Sequence, residues 1–199
     1  MVTPYKIGPE GRQGKRQRAR RPYRQGSLDG LCGLYSTVHA LRAVCPEMTD
    51  KLCSSLFRHL TRSLRNRTHE PLNMITGGIA LPTLRYLLKC AIAFVGRKLN
   101  IVVTARQLSK PVRATKQINR LWRELTAVLS PTAVAIISVQ GRISHWTVVT
   151  GLSAKHLLLL DSGELKRFRL SNCSVTLSDD LYSISPTEVT IVERIDRVG

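Results

Sequence analysis

The stretch Gln25-Gly26-Ser27-Leu28-Asp29-Gly30-Leu31-Cys32-Gly33-Leu34-Tyr35-Ser36 decides the reading of this chain. From it, Leu31, Leu34, Val38, Leu41 and Val44 recur at steps of three and four, which predicts an amphipathic helix stopped by Pro46. Cys32 falls in the first turn of that helix, where unsatisfied N–H groups and the helix dipole favour negative charge. Gly30 and Gly33 remove side chains beside the sulfur, which leaves room for a carbonyl to approach. A thiol is mostly protonated at neutral pH, so a nucleophilic cysteine needs a base. Gln25 is the candidate oxyanion donor, its side-chain N–H joining the backbone N–H of Cys32.

The base is sought downstream, in Ser144-His145-Trp146-Thr147-Val148-Val149, where His145 opens a β-branched run. The next apolar run, 155–161, closes on Asp161. A hairpin turning about Ser153 places His145 directly opposite Asp161, roughly 5 Å away on one face, where a carboxylate can orient the imidazole. A slip of one residue would put the two on opposite faces. Both strands are apolar on both faces, so they are expected to be central and covered. His39 lies two helical turns beyond Cys32, roughly 10 Å along the axis, and reads as a helix-packing residue. His156 is expected on the face opposite His145, and His59 and His69 lie in a basic helix and its following loop. Cys45, Cys53, Cys90 and Cys173 sit in apolar or loop settings and read as inert thiols.

Cys32 first, His145 second and Asp161 third, with Gln25 upstream, resembles the papain-like cysteine peptidase superfamily. Within it the chain is most similar to compact bacterial members such as the peptidase domains of double-glycine-leader bacteriocin exporters. The match rests on Gln25, Cys32-Gly33, His145-Trp146-Thr147-Val148-Val149 and Asp161, and covers roughly residues 25 to 170. Gln25 stands one residue further from Cys32 than is usual there, and Leu31 occupies a position that is often Asp in the exporter peptidases. The resemblance implies an N-terminal helical lobe carrying the Cys32 helix, a C-terminal antiparallel half-barrel carrying His145 and Asp161, and acyl-transfer chemistry without a cofactor. It implies a peptidase acting on a protein or peptide. A glutamine deamidase or transglutaminase-like acyltransferase of the toxin type would use the same residues. A third reading, from another class, is a basic nucleic-acid-binding module without catalysis.

The rest of the chain fits an α+β order, helices first and strands second. Thr49 or Asp50 can cap a second helix through Leu52, Leu56, Leu60 and Leu64, and a third follows Pro82. Residues 65–78 read as a loop, 100–104 as a short strand, and 116–129 as a basic helix with Trp122 buried. Short strands are expected over 132–139, 144–151, 155–161 and 165–170, with further runs at 181–184 and 188–192.

The net charge is +18, and Arg12, Lys15, Arg16, Arg18, Arg20, Arg21 and Arg24 meet only Glu10 in one block. Residues 1–24 are therefore expected to be a mobile basic tail ahead of a domain spanning 25–199. Such a tail can contact nucleic acid, an anionic surface or an acidic partner, and the surface charge points to an acidic protein substrate. The five cysteines form no CxxC pair and no apolar leader follows the N-terminal charges, so reduced thiols in a cytoplasmic protein are expected, with signal-independent export left open. No apolar run is long enough to span a bilayer. No paired Cys or His spacing or HExxH motif is present, so no metal site is expected.

Overall fold

The computed structural model describes residues 21–26, 30–67, 77–108 and 118–195. Most of the basic tail, Ser27 to Asp29, His69 and most of the 65–78 loop lie outside the described residues.

The architecture is α+β. Helices α1 (Cys32–Val44), α2 (Asp50–Arg67) and α3 (Leu81–Leu99) come first, and strand β1 (Val102–Gln107) follows. Helix α4 (Ile118–Val128) precedes β2 (Ala133–Gly141), β3 (His145–Leu152), β4 (His156–Leu160) and β5 (Arg167–Arg169). The chain continues through β6 (Cys173–Ser174) and β7 (Tyr182–Ile184) to β8 (Thr190–Ile195). Local chemistry sets the helix ends. The Leu52 N–H donates to Thr49 Oγ1 at 3.2 Å, an N-cap for α2. Pro82 occupies the first turn of α3, which ends on Asn100 in the left-handed region (φ 53°).

The sheet runs β1-β8-β2-β3-β4-β5, with β7 extending from the end of β2 and β6 beside it. All pairings are antiparallel except β6 with β7. Apolar layers cover both faces, as the two-sided patterns of β2 and β3 require. On one face Val134, Ile136, Trp146 and Val148 join the core of α1, α2 and α3, including Leu34, Leu41, Leu56, Leu60 and Leu84. On the other, Ile137, Val149, Leu157, Phe168 and Ile191 pack with Leu121 and Leu125 of α4. Trp122 is only partly buried, against expectation. Leu121 and Leu125, one helical turn apart, form the stripe facing the sheet, and the residue after Leu121 is rotated to its margin. Leu158 of β4 is also 41% exposed, so this strand is not covered on both faces.

Residues 21–24, expected in the tail, belong to the fold. The Tyr23 N–H donates to His39 Nε2 at 2.9 Å, and its hydroxyl donates to Asp50 Oδ1 at 2.6 Å. Arg42 lies over the Tyr23 ring, 4.6 Å from its centroid, and donates to the Arg21 carbonyl at 2.9 Å. The segment forms an anchored strap across α1. Composition conceals this because its partners lie on α1 and α2, remote in sequence.

A buried hydrogen bond joins the helical lobe to the sheet beside Cys32 and His145: Ser36 Oγ donates to the Trp146 carbonyl at 2.8 Å. The Trp146 indole N–H in turn donates to the Ile79 carbonyl at 2.6 Å. Ser36→Ala is expected to leave the Trp146 carbonyl buried and unpaired, at a cost of about 1–3 kcal/mol in unfolding free energy, measured by urea denaturation. A variant as stable as the parent would mean that this bond does not hold the lobes together.

Candidate active site

Cys32 is the first residue of α1 and is 7% exposed. His145 is the first residue of β3, and Asp161 directly follows β4. The α1 helix start and the β3 start therefore meet at one end of the lobe boundary, with Ser36 and Trp146 joined just inside.

The hairpin brings His145 and Asp161 together by a route different from the expected one. Its tip is Ser153 to His156, closed by the Ser153 N–H donating to the His156 carbonyl at 2.9 Å, and Leu152 pairs with Leu157. Continued unbroken, that register would set Asp161 opposite Val148, on the wrong face. An irregularity between Val149 and Gly151 shifts it by one residue, so that Val149 pairs with Leu159 and Val148 with Leu160. The next step places Asp161 opposite Thr147, with His145 as its diagonal neighbour on the same face. The expected direct His145–Asp161 opposition is therefore incorrect by two residues. An even offset preserves the face, and the side chains span the diagonal.

The resulting contact is short: His145 Nε2 lies 2.7 Å from Asp161 Oδ2. Asp161 is 1% exposed, and its other oxygen accepts the N–H groups of Gly163 at 2.7 Å and Leu165 at 3.2 Å. Burial alone would raise the Asp161 pKa, but hydrogen bonds from His145 and Gly163, the nearby Thr147 hydroxyl and the His145 charge outweigh it and leave it lowered. The Thr147 hydroxyl is buried and acts on Asp161 at close range without forming a well-aligned bond. For His145, burial would lower the pKa, but hydrogen bonding and charge from both Asp161 and Cys32 raise it to about 9. The carboxylate is ionised, so Nε2–H donates to it, and Nδ1 is the ring nitrogen left to face the Cys32 sulfur.

Gln25 reaches this centre on the strap. Its N–H donates to the Ser162 carbonyl at 3.0 Å, and the Ser162 hydroxyl donates to Gln25 Oε1 at 3.1 Å. The hydroxyl on Oε1 fixes which end of the amide is the donor. A cavity of about 390 Å³ is lined by Gln25, His145, Ser162 and Gly163, with the Arg24–Glu164 ion pair (2.7 Å) at its side. All four candidate residues thus gather at one place: Cys32 near enough to His145 to raise its pKa, Asp161 behind His145, Gln25 across the cavity.

Gly33 has a different part from the one expected. A Cβ there would stand 3.2 Å from Ile79 Cβ, so its missing side chain admits the 79–80 segment against α1, not a carbonyl beside the sulfur. Ser162, Ser36 and Thr147 escaped the sequence reading. The only local signal for Ser162 is its place beside Asp161 in a turn-forming Asp-Ser-Gly, and nothing local marks the other two. His39 stays out of the His145–Asp161 contact, as expected, but does more than pack. It is fully buried, its pKa lowered to about 4 chiefly by burial, and it holds the strap as a neutral acceptor. His59 stacks on Phe94 at 5.0 Å between α2 and α3.

The other thiols lack this setting. Cys45 and Cys173 are buried, which pushes both up to about 11. The cysteines form no disulfide. Among the described residues no group of three His, Cys, Asp or Glu side chains could hold a metal ion. No helix among them is long and apolar enough to cross a membrane. No protein family and no curated protein sequence matches the chain.

Because the folded-state pKa of His145 lies above its unfolded value near 6.5, its charged form contributes stability that is fully present below about pH 6.5 and is lost as pH rises through about 9. Asp161→Asn removes the charge that opposes burial, and the His145 titration is expected to fall from about 9 towards or below 6.5. Imidazole chemical shifts followed by NMR measure this. A His145 still titrating near 9 in the variant would exclude Asp161 as the group that holds its proton.

Proposed function

We propose that this chain is a papain-like cysteine hydrolase, a peptidase that cleaves an amide bond in a protein or peptide. The observation that carries the reading is the placement of His145 between the Asp161 carboxylate at 2.7 Å and Cys32, which opens α1. An inert buried thiol has no use for a buried, fully hydrogen-bonded carboxylate behind its neighbouring imidazole. The helical lobe, the antiparallel sheet and the site at their boundary also suit that superfamily.

In the mechanism this supports, the Cys32 sulfur attacks the carbonyl carbon of the scissile amide while the His145 imidazole holds the thiol proton. The oxygen, now anionic, takes the Gln25 side-chain N–H and the Cys32 backbone N–H as donors. Collapse of the tetrahedral intermediate breaks the C–N bond, and His145 gives its proton to the departing amine. Water, deprotonated by His145, then attacks the thioester, releasing the acid and restoring the thiol. Asp161 keeps the ring oriented throughout and holds Nε2–H. The charge of +18 favours an acidic substrate.

The test is alkylation with iodoacetamide at neutral pH, followed by mapping of the modified residue and intact-mass analysis of candidate substrates. Labelling is expected to select Cys32 over Cys45, Cys53, Cys90 and Cys173, and to be lost in His145→Ala. Gln25→Ala is expected to lower turnover by about 10²–10³-fold, as loss of one oxyanion donor does elsewhere, while leaving Cys32 labelling in place. Cleaved chains support the peptidase. A gain of about one dalton in an uncut substrate would move the assignment to glutamine deamidation by the same thioester route. Equal labelling of all five thiols would overturn the reading.

A further inference from the structure

At the far end of the sheet, β1 pairs only with β8 among the described residues. It stands three strands from β3, roughly 14 Å away across the sheet. The hydrogen-bond phase of this edge can be worked out. The Leu108 N–H donates to the Val189 carbonyl at 3.0 Å, and the register continues unbroken to Val102 opposite Ile195. Alternate residues Arg106, Thr104 and Val102 therefore turn their N–H and C=O groups to β8. The far side of β8 gives the same phase: the Arg194 N–H donates to Thr132 of the β2 segment at 2.9 Å, so Glu193 and Ile191 face β1. Val103, Ala105 and Gln107 are left with outward-pointing backbone groups, which no strand meets among the described residues.

Beside this edge lies a groove of about 610 Å³ between α3 and β1. Its apolar floor includes Leu88, Ile92 and Val103, and three exposed cations, Arg85, Lys89 and Arg106, line it with no carboxylate among the described residues. Arg85 and Lys89 are one helical turn apart, an arrangement of like charges that disfavours the helix unless an anion lies between them. Basic residues on an edge strand can simply deter aggregation. Arg85 and Lys89, however, project from the helix across the groove, where they would not shield the strand.

We propose that this groove docks an extended acidic segment of a partner protein. The segment adds as a strand to the outer edge of β1 and sets carboxylates against Arg85 and Lys89 on its α3 side and against Arg106 on the other. A peptide supplies what the edge lacks, N–H and C=O groups at the strand period, together with apolar side chains for Leu88 and Ile92. A phosphate backbone would satisfy the cations but leave the outward carbonyls and the apolar floor without partners. The inference does not depend on the peptidase reading, since the site at Cys32 lies elsewhere.

The experiment is fluorescence anisotropy of a fluorescein-labelled peptide of the repeat Glu-Glu-Val-Thr, which sets glutamate and valine in turn along one face and glutamate on the other, titrated with the full chain. Saturable binding that weakens with added salt is expected, and the same peptide with glutamine for glutamate should bind about tenfold more weakly or worse. The double variant Arg85→Glu/Lys89→Glu changes only exposed side chains and should weaken binding by about tenfold or more. Ala105→Pro removes an outward N–H and spares the β8 ladder, so the variant should fold, as circular dichroism would verify, and should also lose binding. Absence of saturable binding overturns the proposal, as does equal binding of the neutral peptide or full binding by the charge-reversed variant. A single-stranded oligonucleotide that displaces the peptide and binds Ala105→Pro undiminished would also overturn it, in favour of a phosphate site.

Discussion

The buried hydroxyl of Ser36 sets how the Cys32 helix lies against the His145 strand. Apolar burial holds the helices against the sheet, but burial is non-directional and would tolerate a helix slid or rotated by a fraction of a turn. The 2.8 Å bond to the Trp146 carbonyl does not tolerate it, because both ends lie in the dry interior. Ser36 stands one turn after Cys32, and Trp146 directly after His145. The bond therefore fixes the phase of the helix carrying the sulfur against the strand carrying the imidazole. Trp146 binds a third piece of chain as well, since its indole N–H takes the Ile79 carbonyl and Gly33 lets that segment lie flat on α1.

The fourth member of the centre arrives from outside both lobes. Gln25 is carried by a strap whose anchors use different chemistry at each residue. These are a carbonyl on Arg42, a backbone N–H on the neutral His39, a ring beneath a guanidinium, and a two-bond match with Ser162. Ser162 follows Asp161 directly, so one turn serves two ends. Asp161 orients His145, and the next residue orients Gln25. The site is thus assembled around the β4–β5 turn as much as around the cysteine.

The order of Gln25, Cys32, His145 and Asp161 and the helix-then-strand arrangement could be read from the sequence, because apolar periodicity and Gly or Pro punctuation are local signals. The parity of the hairpin was legible too, although its register was not. A turn about Ser153 and the actual tip at Ala154 and Lys155 look alike in composition, and the slip at Val149–Gly151 has no sequence mark beyond a glycine. The strap was hidden for the opposite reason. A run rich in arginine reads as solvated unless its partners are known, and Asp50, His39 and Ser162 are distant in sequence. Gly33 stands out in the sequence, but the neighbour it admits, Ile79, lies far along the chain, where no local pattern marks the contact.

The slip between Val149 and Gly151 carries an evolutionary constraint. At the hairpin tip, around Ala154 and Lys155, an inserted residue only lengthens a solvent-exposed loop. Between the slip and Asp161 the count is fixed modulo two, since one residue gained or lost along β4 would swing the carboxylate to the opposite side of the sheet. Relatives of this chain should therefore vary in length at the tip and keep the spacing from the slip to the carboxylate constant, or change it in pairs.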